Sequence, residues 1–341
     1  MASPLLPDRI EIKVPPETAP VLCVVVDTEE EFDWRAGFDR QATGVTALRA
    51  VGRAQRLFEE FAVRPTYVVD YPVAAQAEGS AVIKGFVDAG TAEVGAHLHP
   101  WVSPPHDEDV CARNSYPGNL DADLEARKLR VLAERITAAF GKSPAIYKAG
   151  RWGFGPHTAT ILERQGFEVD LSVSPPFDYS ADGGPDYAGF SAHPYWFGAH
   201  RRLLGLPLTG SFLGLLRHRG HRVYPVVNRE RWRRVRIPAI LARVRVLDRL
   251  ALSPEGMTLD ELRRLTRALL ADGLRTFVLS FHSPSLQPGC TPYVRSEAQL
   301  ERLYDVLRRY LEFFLGDLGG SSRTPLEIKR VLHDLTAAPA P

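Results

Sequence analysis

The sequence predicts an α/β fold, a closed or nearly closed parallel barrel in a single domain with loop insertions. Three observations carry this. A rhythm of apolar strand, loop and amphipathic helix repeats about seven times without a Gly/Ser linker, the pattern of parallel strands joined by right-handed crossovers. Six consecutive apolar residues, Val21 to Val26, read as a strand buried on both faces, as in parallel sheets covered by helices. No Gly-x-Gly-x-x-Gly follows a strand and no Gly-Lys-Ser/Thr occurs, which argues against dinucleotide and phosphate-loop folds.

Taken in order, residues 1–20 hold five prolines and read as an extended lead-in to a domain spanning 21–315. Helical spacing of Val45, Leu48, Val51, Leu57, Phe58 and Phe61 predicts a helix over 43–61, stopped by Arg64-Pro65. Strands are predicted over 66–71, 92–98, 144–149, 169–173, 203–208 and 275–281. Between them lie helices over 80–89, 121–140, 156–165 and 258–271, the last opened by the capping box Thr258-Leu-Asp-Glu261. A final helix starts at Ser296 and runs to about 315. The loop 100–120 is long enough to be functional or disordered, and the aromatic, turn-rich stretch 174–199 reads as a wall or lid. An arginine-rich insert occupies about 211–257, and a weakly structured tail with one helical stretch fills 316–341.

Composition narrows the classes. Apolar content of 45% and charged content of 24% are those of an ordinary globular chain. The net charge of +1 implies no nucleic-acid partner from the global balance. Three cysteines, odd in number and without Cys-x-x-Cys spacing, argue against a disulfide framework or zinc ribbon and fit a reducing cytosol. No signal peptide and no apolar run long enough for a membrane span are seen, so a cytoplasmic location is expected. Arginine outnumbers lysine 36 to 6, the mark of a GC-rich genome, which weakens arginine clusters as evidence for polyanion binding.

The chemistry gathers at predicted strand ends. Asp27, Glu29, Glu30, Glu31 and Asp33 follow the first strand within seven positions, a crowd that needs a cation, a proton or solvent to relieve it. His97 and His99 end the third strand, Lys148 and Arg151 follow the fourth, and His282 ends the last. A parallel barrel brings all of these to one face. Period-two alternation puts His97 and His99 on one side of an extended chain, and Asp27 and Glu29 likewise. Imidazole and carboxylate without thiolate suit Zn²⁺ or another first-row divalent ion in an open catalytic site; the plain alternative is a solvated acidic turn beside hydrogen-bonded core histidines. His282 reads as a general acid or as a histidine bonded to loop backbone. Lys148 and Arg151 read as groups that orient the base or stabilise an oxyanion. Trp101, Trp152 and Trp196 are candidate sugar-stacking walls or ordinary buried packing.

These motifs carry a resemblance. Asp-x-Glu after strand one, Glu93-Val-Gly-Ala-His97, Tyr147-Lys-Ala-Gly and Leu279-Ser-Phe-His282, in this order across nearly the whole chain, resemble the polysaccharide deacetylases of the NodB homology family. The resemblance implies a distorted (β/α)7-type barrel and a hydrolase with one divalent metal ion that removes N- or O-acetyl groups from sugars. It implies Asp27 as base, Glu29 in place of the metal-binding Asp, His97 as the first metal histidine, Lys148 where an Arg usually orients the base, and His282 as general acid. The family's second metal histidine falls four residues after the first, where this chain has Trp101; His99 is the substitute. The phrases AHLHPW and SFHSPSLQPG resemble a divergent, cytoplasmic bacterial branch associated with surface-polysaccharide gene sets.

Two other readings compete: a metal-dependent hydrolase of a non-sugar amide, and a catalytically degenerate carbohydrate-binding scaffold. Separately, eleven arginines from Arg217 to Arg249 mark either a peripheral contact with a membrane or anionic glycan, or a solvated helical face.

Overall fold

A computed structural model of the chain describes residues 5–337 except 7 and 35. Its strands, in chain order, are β1 (Ile10–Glu11), β2 (Val21–Thr28), β3 (Thr66–Val69), β4 (Glu93–Leu98), β5 (Ile146–Ala149), β6 (Val169–Asp170), β7 (Tyr195–Phe197), β8 (Leu203–Gly205), β9 (Gly210–Leu213), β10 (Asp248–Ala251), β11 (Thr276–His282) and β12 (Ser321–Ser322). The main sheet runs β1-β7-β8-β6-β5-β4-β3-β2-β11, with β12 also beside β2, and β9–β10 form a separate antiparallel pair. From β8 round to β11 the pairing is parallel, and the sheet curls into a half-barrel within one domain. The helices are α1 (Val51–Glu60), α2 (Tyr71–Ala75), α3 (Ala77–Asp88), α4 (Ala122–Phe140), α5 (Thr158–Arg164), α6 (Gly220–Val227), α7 (Glu230–Arg234), α8 (Ile237–Arg243), α9 (Leu259–Ala271), α10 (Glu297–Leu311) and α11 (Pro325–Ala337).

Strand parity builds the barrel. Leu22, Val24 and Val26 face outward into the large core with Leu48, Phe58 and Leu307, whereas Cys23 and Val25 face inward with Val68, Ile146 and Val278. Each such side chain taken fully out of water contributes roughly 1.5–3 kcal/mol, so β2 cannot slip by one residue without inverting both faces. The inward face is apolar at the bottom of the barrel, and the same parity delivers Asp27, His97, Lys148, Ser280 and His282 inward at the top. Register sets their level: His282 lies beside Asp27, and His97 beside Lys148.

Several expectations are corrected. The wall is not closed by strand pairing alone. Between β8 and β11 the gap is spanned by irregular chain, with Thr209 donating its N–H to Val278 O at 3.1 Å and Leu252 donating to Thr209 O at 2.7 Å. Part of the aromatic stretch read as a lid, Tyr195–Phe197, is an antiparallel strand, and the extended lead-in supplies its edge partner β1; a run that is aromatic at every position hides period-two alternation. The stretch after 316 is more ordered than expected: β12 pairs with β2, and Ile328 and Leu332 of α11 plug the bottom of the barrel. The capping box is present in both halves, Thr258 accepting from Glu261 N and Glu261 from Thr258 N. Cys23, Cys111 and Cys290 are all unpaired, and no helix among the described residues is long and apolar enough to cross a membrane.

Candidate active site and metal centre

At the C-terminal ends of the parallel strands lies a cleft of about 400 Å³ whose floor holds Asp27, Glu29, His97, His99, Lys148 and His282. Asp27 is 2% exposed, and Lys148 Nζ donates to both of its oxygens at 2.6 Å while Ser280 Oγ donates to Oδ1 at 3.2 Å. Burial alone would raise the Asp27 carboxyl, but the Lys148 ammonium first, and the charged His282 after it, outweigh it and hold it below the ordinary value. Asp27 is therefore an anion at neutral pH, and Lys148 fixes its orientation.

Glu29 turns Oε2 toward both imidazoles, 3.4 Å from His97 Nε2 and 3.4 Å from His99 Nε2. Its other oxygen is buried with no hydrogen-bond partner. Both imidazoles are held from behind: His97 Nδ1–H donates to Lys148 O at 3.0 Å, and His99 Nδ1–H to Glu30 Oε2 at 2.8 Å. Each ring thus presents a bare Nε2 to the site, the tautomer metal ligands need. Burial lowers both histidines, His99 to about 4, so they are neutral. One carboxylate oxygen and two imidazole nitrogens lie within 4.8 Å of one another. An orphaned buried carboxylate oxygen among neutral imidazoles fits a divalent cation. A second cluster, Glu30, Asp70 and His99, is also compact, and Glu30 Oε1 is likewise buried without a partner. Its other contacts are internal: Glu30 N–H donates to Asp70 Oδ2 at 2.6 Å, and Glu30 Oε2 accepts from His99 Nδ1 on the side of the ring away from Glu29.

Trp101, four residues after His97, stacks its indole on His99 at 4.3 Å between ring centroids. It braces His99 and lies only 2% exposed, which removes it as a broad stacking platform. Gly150 leaves His99 room: a Cβ there would stand 2.5 Å from the His99 ring and from Leu98 O. Arg151 and Trp152 follow in left-handed backbone, φ 53° and 60°, a strained arrangement of the kind held at functional sites.

Across the floor from His97 and His99, His282 Nδ1 pairs with Glu255 Oε2 at 2.8 Å, and its Nε2 stands 3.8 Å from Asp27 Oδ2. Burial works to lower His282, but Glu255, Glu29 and Asp27 overcome it and push the imidazole up to about 10. It carries its proton at neutral pH. Trp34 packs edge-on at 5.2 Å and Tyr293 stacks at 6.3 Å.

Position decides between open alternatives for Arg151 and Trp196. Arg151 lines the cleft but does not reach Asp27; its guanidinium bonds Ser115 Oγ at 2.6 Å and lies over Tyr116 at 4.1 Å. Trp152 also lines the cleft, with Lys148 Nζ 4.0 Å from its ring. Trp196 lies away from the cleft, in β7 against His333. Glu31 is a rim residue that accepts from Ala47 N and Thr46 Oγ1. Sequence reasoning missed Glu255, Asp70 and Ser280. Asp70 follows the last residue of β3 in step with the inward-facing Val68, and Ser280 sits two residues before His282, so strand-end parity could have found both; Glu255 lies in the turn Ser253-Pro-Glu-Gly and gave no signal.

No known family's sequence profile matches the chain, and no curated protein matches it by sequence. Solved structures do. A protein described as a polysaccharide deacetylase of Mycobacterium smegmatis is 19% identical, covers 97% of this chain and 96% of its own, and superposes at a TM-score of 0.54. One described likewise from Pseudomonas aeruginosa PAO1 gives 18% identity, 92% and 91% coverage and 0.54. Puue allantoinase gives 17% identity, 99% coverage of both chains and 0.57. The chain therefore has the fold of the polysaccharide deacetylases, the NodB-like (β/α) barrel.

Proposed function

We propose that the protein is a metal-dependent hydrolase that removes acetyl groups from an N- or O-acetylated sugar or polysaccharide precursor. The observation that carries the reading is the floor of the cleft: Asp27, held by Lys148, and His282, held by Glu255, face each other 3.8 Å apart beside the Glu29, His97 and His99 donor set. Two imidazoles and a carboxylate favour zinc, with other first-row divalent ions next. A divalent ion held there acidifies water to a pKa of ~7 and polarises a carbonyl.

The chain's own groups then divide the proton work. Asp27 Oδ2 accepts the proton of the attacking water, and Lys148 keeps that carboxylate anionic and aimed. His282 Nε2–H delivers a proton to the departing sugar nitrogen or oxygen, and Glu255 holds the ring charged and oriented through Nδ1. Phe32, Trp34, Phe177 and Tyr179 line the walls, the amphipathic surface on which sugar rings stack.

Metal content of the purified protein, together with acetate release from N- and O-acetylated sugars, tests this. Asp27→Asn should keep its metal and lose about 10²–10⁴ in turnover; a fully active Asp27→Asn enzyme would sink the assignment. Because one structural neighbour is an allantoinase, allantoin and simple amides belong in the panel. Turnover there without acetate release from sugars would replace the substrate class and leave the hydrolase reading intact.

A further inference from the structure

The segment between β9 and β10 does not pack like the rest of the molecule. Neither α7 nor α8 buries a residue. Ten large apolar side chains are exposed among the described residues, and six of them lie within residues 215–244: Leu215 (84%), Val226 (43%), Trp232 (39%), Val235 (56%), Ile240 (51%) and Val244 (58%). Scattered single exposures are ordinary on a protein surface, but a cluster marks a contact face. Trp232 and Val235 are three residues apart and Ile240 and Val244 four, the spacings that share one side of a helical turn.

The same segment is the most charged part of the chain. From Arg217 to Arg249 there are eleven arginines and two acids, a formal +9 in a chain that totals +1, which leaves −8 on the remainder. Among the described residues only two of these arginines form ion pairs, Arg217 with Asp272 at 3.0 Å and Arg234 with Glu230 at 2.5 Å. Arg249 instead lies over Phe177 at 4.2 Å and Tyr224 at 4.5 Å. Since Phe177 lines the cleft, the root of the charged segment rests against the cleft wall.

Charge and apolar exposure together select the partner. A second copy meeting this face would set +9 against +9. A soluble polyanion or nucleic acid would neutralise the arginines and leave Leu215, Val235, Ile240 and Val244 in water. An anionic bilayer satisfies both: guanidinium groups reach the headgroups while their stems and the interleaved apolar side chains enter the acyl boundary. We propose that residues 215–244 form a peripheral docking surface for an anionic lipid bilayer, holding the cleft close to the membrane plane. This stands independently of what the cleft hydrolyses.

Co-sedimentation of the full chain with phosphatidylcholine vesicles carrying about a quarter phosphatidylglycerol tests it, against vesicles of phosphatidylcholine alone. Binding to the anionic vesicles at low salt should exceed the neutral control by about tenfold or more and weaken as salt screens the arginines. A combined Val235→Ser, Ile240→Ser, Val244→Ser variant should lose most vesicle binding while keeping its heparin binding and most of its Tm, because each of these side chains is more than half exposed. Without relying on that variant to fold, brominated lipid should quench Trp232 in the unaltered chain, and the quenching should vanish in Trp232→Phe. No sedimentation with anionic vesicles at low salt overturns the proposal. So does vesicle binding undiminished in the triple variant, which makes the segment a plain polyanion surface. So, too, does a concentration-dependent dimer that the triple variant abolishes.

Discussion

His99 and His282 each set Nδ1 at 2.8 Å from a carboxylate oxygen, Glu30 for the first and Glu255 for the second. Burial lowers both rings, yet His99 falls to about 4 and His282 rises to about 10. The difference lies in the partner's own charge and in what else faces the ring. Glu30 is wholly buried, and burial pushes it up to about 8 despite its bond to Asp70, so at neutral pH it offers His99 an acceptor without a full negative charge. His282 faces Glu255, Glu29 and Asp27 together and is itself partly open, at 20% side-chain exposure. One hydrogen-bond pattern thus serves two ends: a neutral ring whose Nε2 lone pair is free for a metal, and a charged ring whose Nε2 proton is free to leave.

This contrast breaks most readily at the acid. His282→Ala should cost about 10²–10⁴ in kcat with metal stoichiometry intact, as metal analysis beside steady-state kinetics will read; loss of metal instead would place His282 among the ligands. Next, Glu30→Gln should weaken metal affinity by about 10–100-fold, the usual cost of losing a ligand's outer partner, in a chelator competition, with the shape of the pH profile retained. Glu255→Gln acts on the other side. Removing the largest charge that raises His282 lowers the imidazolium pKa, so the alkaline limb of kcat/KM should move to lower pH while metal affinity holds. The smallest effect lies outside the site, where burial raises Glu125 to about 7 despite the hydroxyl of Thr158. Its unfolded value is about 4.3, so between those values the folded state binds the extra proton and stability falls as pH rises. Glu125→Gln should flatten that slope, which one such group sets at about 1.4 kcal/mol per pH unit at most, read from denaturation midpoints across the window.

Much of the site was legible because strand parity is local. Asp27 and Glu29, His97 and His99, and the placement of His282 at an inward position all follow from apolar alternation running into polar residues at strand ends. Arg151 reaches the cleft but does not orient the base, for a physical reason: Ser115 and Tyr116 in the 100–120 loop hold its long guanidinium away from Asp27. Of its two readings, wall or packing, Trp196 takes packing, and composition leaves both open because it marks an aromatic stretch without saying which rings face the cleft and which face an edge strand. Glu255 lies 27 residues before His282, in a turn whose position depends on how the arginine-rich insert leaves and rejoins the barrel.

The sequence by itself determined the period of each strand, hence which residues share a face, since alternation of side chains follows from backbone covalent geometry. It also determined that four strand ends bear acids, imidazoles and amines. Only the tertiary structure decided which of these is neutral, which is charged and which backs another. Those properties depend on burial and on charges that approach through space from Glu30, Asp70 and Glu255, and parallel register alone brings His282 beside Asp27 across 255 residues of chain.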